Sequence, residues 1–275
     1  MAKLRKVFNM NKSKILNVEI DNLSQEELLA QLKHGVLVTP NVDQVVKMQH
    51  DREFYDITRR AEWVVCDSKI LYLCTVLAGR PLKGVIPGSS FFPAFYEYHK
   101  NDTDCKIFLL GAMDGVAQKA MERINKKVGR RMVVGAYSPS YGFEKKQEEN
   151  EEIHRMINES GANVVLVGVG CPKQEKWIDA HKTQMPGVDI WMALGATIDF
   201  EAGNVKRAPK IWQKLYLEWF YRFLQEPQRM YKRYFIDDPK FFWYFLKQLL
   251  GAYKNPFEPN ENSHWEGEGE KEKPH

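Results

Sequence analysis

The chain is poor in cysteine and in metal-binding patterns. Its 275 residues include four cysteines, and none of them belongs to a Cys-x-x-Cys pair. The seven histidines show no His-x-x-x-His or His-Glu-x-x-His spacing, and no Asp-x-Asp pair directly follows an apolar run. Metal sites and disulfide frameworks depend on such spacings, so neither is predicted. We expect small buried thiols at the four positions, which are Cys66, Cys74, Cys105 and Cys171.

Long apolar runs are also missing. No stretch approaches the roughly 20 apolar residues that a membrane-spanning helix needs, so any membrane contact is expected to be peripheral. Residues 1–16 contain five Lys or Arg residues but no apolar run of the length found in signal peptides. We therefore expect a cytoplasmic protein.

Between residues 14 and 200, short β-branched runs alternate with longer helical stretches. The runs predicted as strands are 35–39, 62–66, 105–110, 132–136, 163–167 and 189–194. The stretches predicted as helices between them are 42–61, 115–128, 148–160 and 174–184. This alternation predicts an α/β domain over residues 1–205, with a Rossmann-like, largely parallel sheet and helices on both faces. Ligands of such sheets bind at the carboxyl ends of the strands.

Residues 206–254 differ in composition from the rest of the chain. They contain eleven Lys or Arg residues against four acids, with aromatic residues interleaved and no strand-like run. This pattern predicts a helical basic-aromatic appendage that contacts an anionic membrane surface, with nucleic-acid binding as a less favoured alternative. Apolar side chains that the appendage leaves exposed also predict homo-oligomers in solution. Residues 255–275, rich in Glu, are predicted to form a disordered acidic tail.

Polar residues follow two of the predicted strands. Thr39 and Asn41 come at the end of the first strand, where they either cap the next helix, the favoured role, or hydrogen-bond a sugar. Asp67 follows the strand at 62–66 and is either a helix cap or a carboxylate that points into the ligand cleft. In the second role Asp67 acts as a general base.

Glycine-rich loops end three further strands. The loops 111–115 and 168–175 each follow an apolar strand and open a helix, and the loop 195–203 closes the last strand. Backbone N–H groups can approach a diphosphate closely there, because glycine has no side chain. Lys173 stands where the dinucleotide-binding fingerprint has its third glycine, and Walker A spacing is absent. The loops therefore favour a nucleoside diphosphate over NAD or ATP, and the arginines of the appendage are the basic groups that could neutralise it.

Six motifs follow one another along the chain. They are Thr39-Pro40-Asn41, Cys66-Asp67-Ser68, Pro87-Gly88-Ser89, Gly168-x-Gly170-x-Pro172-Lys173-Gln174-Glu175, Gly195-x-x-x-Asp199-Phe200-x-Ala202-Gly203-x-x-x-Arg207-Ala208-Pro209 and Glu218-Trp219-x-x-Arg222-x-x-x-Glu226-Pro227. In this order they closely resemble the WecG/TagA/CpsF glycosyltransferases, glycosyltransferase family 26, over residues 14–245.

The resemblance implies a bacterial enzyme that moves a sugar, often N-acetylmannosamine or its uronic acid, from UDP to a polyprenyl-diphosphate-linked sugar. The resemblance also implies that this reaction takes place at the cytoplasmic face of the membrane, in the synthesis of cell-surface polysaccharide or teichoic acid. The resemblance further implies inversion at the anomeric carbon, no required metal or other cofactor, and an appendage that touches the bilayer and completes the active site.

Roles for individual residues are carried over in the same way. Asp67 resembles the catalytic base, and Thr39 and Asn41 resemble the active-site pair beside it. Gln174 and Glu175 resemble donor-nucleotide contacts, with Gly168 and Gly170 supplying close backbone approach. The predicted donor site also includes Gly111, Lys173 and Asp199 of the strand-end loops. Arg222 and Arg229, with Arg233 or Lys232 one turn beyond, resemble the basic groups over the diphosphate.

The chain departs from the family pattern at Ser90, where family members commonly have Asp after Gly-Ser. Losing a charged hydrogen bond to a substrate costs about 1.5 to 3 kcal/mol, which changes sugar choice or weakens activity without preventing folding. An alternative function is therefore a noncatalytic, UDP-binding scaffold at the membrane, in which Ser90 marks a decayed site.

Overall fold

The computed structural model describes residues 12–205, 221, 224, 227–232 and 238–258. The strands are β1 Lys12–Ile15, β2 Val18–Asp21, β3 Gly35–Val38, β4 Trp63–Val64, β5 Ile107–Gly111, β6 Val133–Tyr137, β7 Val164–Gly168 and β8 Ile190–Ala193. The helices are α1 Gln25–Gln31, α2 Val42–Lys47, α3 Arg52–Arg60, α4 Lys69–Leu77, α5 Gly88–Tyr98, α6 Val116–Val128, α7 Gln147–Ser160, α8 Lys173–His181, α9 Thr197–Ala202, α10 Pro227–Lys232 and α11 Asp238–Leu249.

Six strands form one parallel sheet in the order β4-β3-β8-β7-β5-β6. Each of the six predicted runs overlaps one of these strands, and the predicted ends differ from the observed ends by at most two residues. The runs were recognisable because parallel strands buried on both faces are apolar throughout. The predicted α/β fold with a largely parallel sheet is therefore confirmed.

Two hydrophobic cores lie on opposite faces of the sheet. Successive strand residues point to opposite faces, so Leu109 of β5 joins the core that contains α1, α5, α6 and α9. Its neighbour Leu110 joins the other core, which contains α2, α3, α4, α7, α8 and α11. Both predicted helical layers are thus present, and the loops at the strand ends lie between them.

The predicted helix over 42–61 is in fact two helices, α2 and α3. The side chain of Asp51 accepts a hydrogen bond from Phe54 N at 2.9 Å and so caps a new helix at Arg52. An Asp at this position satisfies a backbone N–H that would otherwise have no partner at the helix start. The prediction of one continuous helix was wrong because this cap was not recognised.

The antiparallel hairpin β1–β2 was not predicted from the sequence. Its Asp21 accepts a hydrogen bond from Val64 N of the edge strand β4 at 2.8 Å. Lys12 forms an ion pair with the same buried carboxylate at 3.2 Å, and burial raises the pKa of Asp21. The hairpin therefore satisfies a backbone donor of β4 with a side chain instead of another strand.

Helix α11 belongs to the predicted appendage, and it packs on the α/β domain. Phe241 and Phe245 are buried in the same core as α2. Gln248 accepts a hydrogen bond from Leu16 N at 2.7 Å and donates one to Lys14 O at 3.1 Å, so α11 is joined to the hairpin β1–β2. Within the described residues, no helix has both the length and the apolar character needed to cross a bilayer.

The first four residues of the predicted acidic tail, 255–258, are described and make contacts with the domain. Asn255 donates a hydrogen bond to the hydroxyl of Tyr55 at 3.0 Å, and the ring of Phe257 lies 5.4 Å from the ring of Tyr55. Residues 259–275 of the predicted tail lie outside the described residues, as does most of the segment 206–237.

Candidate functional site

Five neighbouring strands, β4, β3, β8, β7 and β5, direct the loops at their carboxyl ends to one edge of the sheet. Backbone hydrogen bonds join these loops to one another. Asp67 N donates to Pro40 O at 3.1 Å, and Ala112 N donates to Gly168 O at 3.2 Å. The structure therefore brings together loops that follow different strands and lie far apart in the sequence.

Asp67 is held by a residue that follows it by 21 positions. Its Oδ1 accepts a hydrogen bond at 3.0 Å from the backbone N–H of Gly88, the first residue of α5. The cap of α4 is the neighbouring Ser68, whose hydroxyl accepts from Leu71 N at 3.4 Å. Of the two roles that the sequence left open for Asp67, the cap of α4 is thus taken by Ser68. The Asp67 carboxylate is half-buried, with a fixed orientation at the strand-end edge.

Asn41 caps α2, as the favoured sequence interpretation predicted. Its side-chain oxygen accepts from Gln44 N at 3.2 Å, and the side-chain oxygen of Gln44 accepts from Asn41 N at 2.8 Å. This reciprocal pair is a capping box. Thr39 is buried two residues earlier, and the contact between Asp67 N and Pro40 O places this loop directly beside Asp67.

The glycines of the other loops have two different surroundings. A Cβ atom on Gly111 would lie 2.5 Å from Gly168 O, and one on Gly168 would lie 2.5 Å from Gly195 O. Side chains are therefore excluded there by the neighbouring backbone. Gly170 has φ of 91° and is exposed, and no atom of the described residues lies within 4 Å of its Cβ position. Gly170 therefore leaves backbone open for a ligand, and so does Gly115 in the loop after β5, which is also exposed with no described atom within 4 Å of its Cβ position.

Lys173, Gln174 and Glu175 open α8 but point in different directions. Lys173 forms an ion pair with Glu144 at 3.4 Å, and its ammonium lies 5.5 Å from the ring centre of Tyr141. Gln174 and Glu175 are buried at 1% and 0% exposure. Gln174 accepts a hydrogen bond from Gly195 N at 3.1 Å and donates one to Glu175 Oε1 at 2.9 Å.

Asp199 and the arginines predicted to bind the diphosphate are described to different extents. Asp199 is half-buried in the first turn of α9, at the carboxyl end of β8. Arg229 lies in α10, but its side chain is outside the described residues, as are Arg222 and Arg233. Their predicted contact with a diphosphate stays a prediction.

The four cysteine thiols are free. Cys66, which precedes Asp67, is buried, and desolvation raises the pKa of its thiol to about 12. Cys74 and Cys105 are buried as well, and Cys171 is partly buried. A thiol with a raised pKa is a poor nucleophile. The prediction of small buried thiols is thus confirmed for Cys66, Cys74 and Cys105, whereas Cys171 is only partly buried.

Two residues of this edge had no role in the sequence analysis. Gly88 lay within a recognised motif, but no pattern in the sequence indicated that its N–H binds Asp67. Gln44 could have been found, because an Asn followed three residues later by Gln at a helix start is the spacing of a capping box.

A parallel sheet that collects an oriented carboxylate and open glycine backbone at its strand ends defines an enzyme-type site of an α/β protein. The sequence model of the glycosyl transferase WecG/TagA/CpsF family matches residues 13–255. The chain belongs to this family, which confirms the resemblance. It is therefore a glycosyltransferase with a role in the synthesis of cell-surface polysaccharide.

Proposed function

We propose that the chain is an inverting, metal-independent transferase that moves a hexose, N-acetylmannosamine or a related sugar, from UDP to a polyprenyl-diphosphate-linked sugar. The products would be cell-surface polysaccharide or teichoic acid in bacteria. The observation that carries the proposal is the Asp67 carboxylate, oriented by Gly88 N and adjacent to the Thr39–Asn41 loop. Family membership supports the transfer of a glycosyl group.

In the proposed reaction Asp67 takes the proton from the attacking hydroxyl of the acceptor sugar. The hydroxyl oxygen then forms a bond to the anomeric carbon as the bond from that carbon to the UDP oxygen breaks. Because attack and departure occur on opposite sides of the carbon, one displacement inverts its configuration. A positioned general base contributes typically 10² to 10⁴-fold to such a step.

The leaving UDP carries the negative charge that develops during the reaction. We assign its diphosphate to the open backbone at Gly170 and to the arginines Arg222, Arg229 and Arg233, which provide N–H donors and positive charge. The proposed donor region also includes Lys173 and Asp199 at the same edge. The packed glycines Gly111 and Gly168 and the buried Gln174 support its loops from within.

The exposed face of α11 supports peripheral contact with the cytoplasmic face of a membrane. Five apolar side chains of this face have exposed fractions between 44% and 73%, namely Phe242, Trp243, Leu246, Leu249 and Leu250. Lys247 lies 5.2 Å from the ring centre of Trp243 and adds positive charge beside this apolar face. Such a face suits the boundary between lipid headgroups and acyl chains.

The test is UDP release by the purified full-length protein in EDTA, across a panel of UDP-sugars, with and without a polyprenyl-diphosphate-sugar acceptor analogue. Acceptor-dependent release from one donor, with an inverted product by NMR, is the expected result. Activity that requires a divalent metal would contradict the metal-independent mechanism. UDP binding without release from any donor would instead favour the scaffold function.

A further inference from the structure

Glu175 is a fully enclosed carboxylate beneath the loops of the candidate site. Its Oε1 accepts two side-chain hydrogen bonds, from Gln174 Nε2 at 2.9 Å and from Gln44 Nε2 at 3.4 Å. Gln44 lies in α2 and Gln174 in α8, so one oxygen atom joins helices that follow two different strands. The carboxylate is therefore an internal connection and has no exposed surface of its own.

Each glutamine is in turn fixed by the backbone of a strand-end loop. Gln44 Oε1 accepts from Asn41 N at 2.8 Å, in the loop after β3. Gln174 Oε1 accepts from Gly195 N at 3.1 Å, in the loop after β8. The two amide oxygens are used in this way, so both NH₂ groups must turn to another acceptor. Glu175 is that common acceptor, and it completes a chain from Asn41 to Gly195.

We propose that Glu175 is a positioning residue of the transferase site, which sets the spacing of the loops after β3 and β8 through Gln44 and Gln174. It does so without touching the donor, in contrast to the donor contact that the family resemblance implies for it. The proposal rests on the proposed function, because the positioned loops are those that we assign to the substrates.

The two oxygens of Glu175 have different surroundings, so Gln and Ala substitutions are expected to have different effects. Oε2 is buried and has no hydrogen-bond partner within the described part of the chain. In Glu175→Gln the amide oxygen can replace Oε1 and keep both acceptor bonds, while the NH₂ group takes the place of Oε2. In Glu175→Ala both glutamine NH₂ groups lose their acceptor inside the protein, which leaves buried donors unsatisfied.

The experiment is a double-mutant cycle on the full chain with Gln44→Ala, Glu175→Ala and the pair, together with Glu175→Gln. UDP affinity is measured by calorimetry and the free energy of unfolding by urea titration. We expect Glu175→Ala to weaken UDP binding by about tenfold, because small displacements of site loops are costly. The pair should bind UDP about as weakly as Glu175→Ala alone, since both changes break one network. Glu175→Gln should retain affinity within about threefold of wild type.

Three results would overturn the proposal. One is additivity of the two Ala substitutions, which would show independent action. Another is a loss of UDP affinity in Glu175→Gln as large as in Glu175→Ala, which indicates a direct contact with the donor. The third is lower stability of Glu175→Ala with unchanged UDP affinity, which indicates a purely structural role.

Failure of the proposed function gives a different result. If the wild-type protein does not bind UDP, the assignment of the donor is wrong. The network is then tested by the unfolding free energies of wild type, Gln44→Ala, Glu175→Ala and the double variant. Non-additive free energies would support the connection between Gln44 and Glu175, and additive ones would overturn it.

Discussion

The backbone N–H of Gly88 donates a hydrogen bond of 3.0 Å to Oδ1 of Asp67. This bond connects the loop after β4 to the first turn of α5, so the carboxylate is oriented by a helix start that lies 21 residues further along the chain. Leu194 occupies the space beside Gly88, at 2.9 Å from the position of an added Cβ atom. The orientation of Asp67 therefore depends on a glycine and on the packing around it.

Asp67→Asn should lower transfer by at least about 100-fold while UDP affinity stays near that of wild type. The Asn side chain keeps an oxygen for Gly88 N but cannot take a proton from the acceptor. Turnover and UDP binding are measured on the same preparation. The matched control is Ser68→Ala, which removes the cap of α4 at a cost of about 1 kcal/mol and leaves the carboxylate in place. Normal turnover in Asp67→Asn would exclude Asp67 as the base.

Gly88→Ala should reduce both stability and turnover. The new Cβ atom meets Leu194 at 2.9 Å in a buried site, and overpacking of this kind costs about 1 to 3 kcal/mol. The displacement also moves the N–H that orients Asp67. Gly84→Ala is the control, because no atom of the described residues lies within 4 Å of its Cβ position. Urea unfolding measures the stability, and initial rates measure the turnover. Equal effects of Gly88→Ala and Gly84→Ala would contradict the prediction.

The stability of the protein should decrease between pH 5 and pH 7 because of Glu175. Burial raises its pKa to about 7 from 4.5, while the hydrogen bond from Gln174, the Cys171 thiol and the Lys47 charge act in the opposite direction. Lys47 is also paired with Asp43 at 2.9 Å, so its charge is partly neutralised. The folded protein holds the proton more tightly than the unfolded chain, so this contribution is present at low pH and is lost as pH rises through 7.

Glu175→Gln removes this titration and is the variant that isolates it. From pH 5 to pH 8, wild type should lose about 3 kcal/mol of unfolding free energy relative to the Gln variant. Urea titrations at four pH values measure the difference. A constant difference between the two proteins across this range would contradict a raised pKa at Glu175.

Replacing Trp243 and Leu246 by Ser should weaken binding to anionic vesicles by about tenfold or more, because both side chains are exposed apolar groups of α11. Folding should be retained, since the buried contacts of α11 come from other residues. Leu77→Ser, at an exposed site of α4, is the control for general loss of apolar surface. Vesicle sedimentation decides the outcome, and an equal loss in Leu77→Ser would argue against a specific role of α11.

The strands could be predicted because their apolar runs are bounded by glycine and polar residues, as in β5 and β7. The hairpin β1–β2 could not, since each of its strands has only four residues and few of them are apolar. The hairpin acquires its place from contacts with Val64 and Gln248. The hydrophobic pattern of a short segment carries no information about such long-range contacts.

At the site, position relative to a strand was enough to single out Asp67 and Thr39. The sequence could not predict that Glu175 is buried, because Pro172-Lys173-Gln174-Glu175 has the composition of an exposed helix start. Burial of a carboxylate is tolerated here because donors come from Gln44, 131 residues away, and from Gln174. These hydrogen-bond donors become neighbours of Glu175 only in the folded structure, so the sequence does not reveal them.

The hydrogen bonds between Gln248 and the hairpin β1–β2 also constrain how the protein is made. Leu16 and its partner Gln248 are separated by 232 positions, so a ribosome must synthesise nearly the whole described chain before this contact can form. Until then Phe241 and Phe245 are missing from the core beside α2. Contacts of such large sequence separation form late and slow folding. The core beside α2 is therefore completed by the same helix that carries the exposed apolar face, and a nascent chain acquires both together.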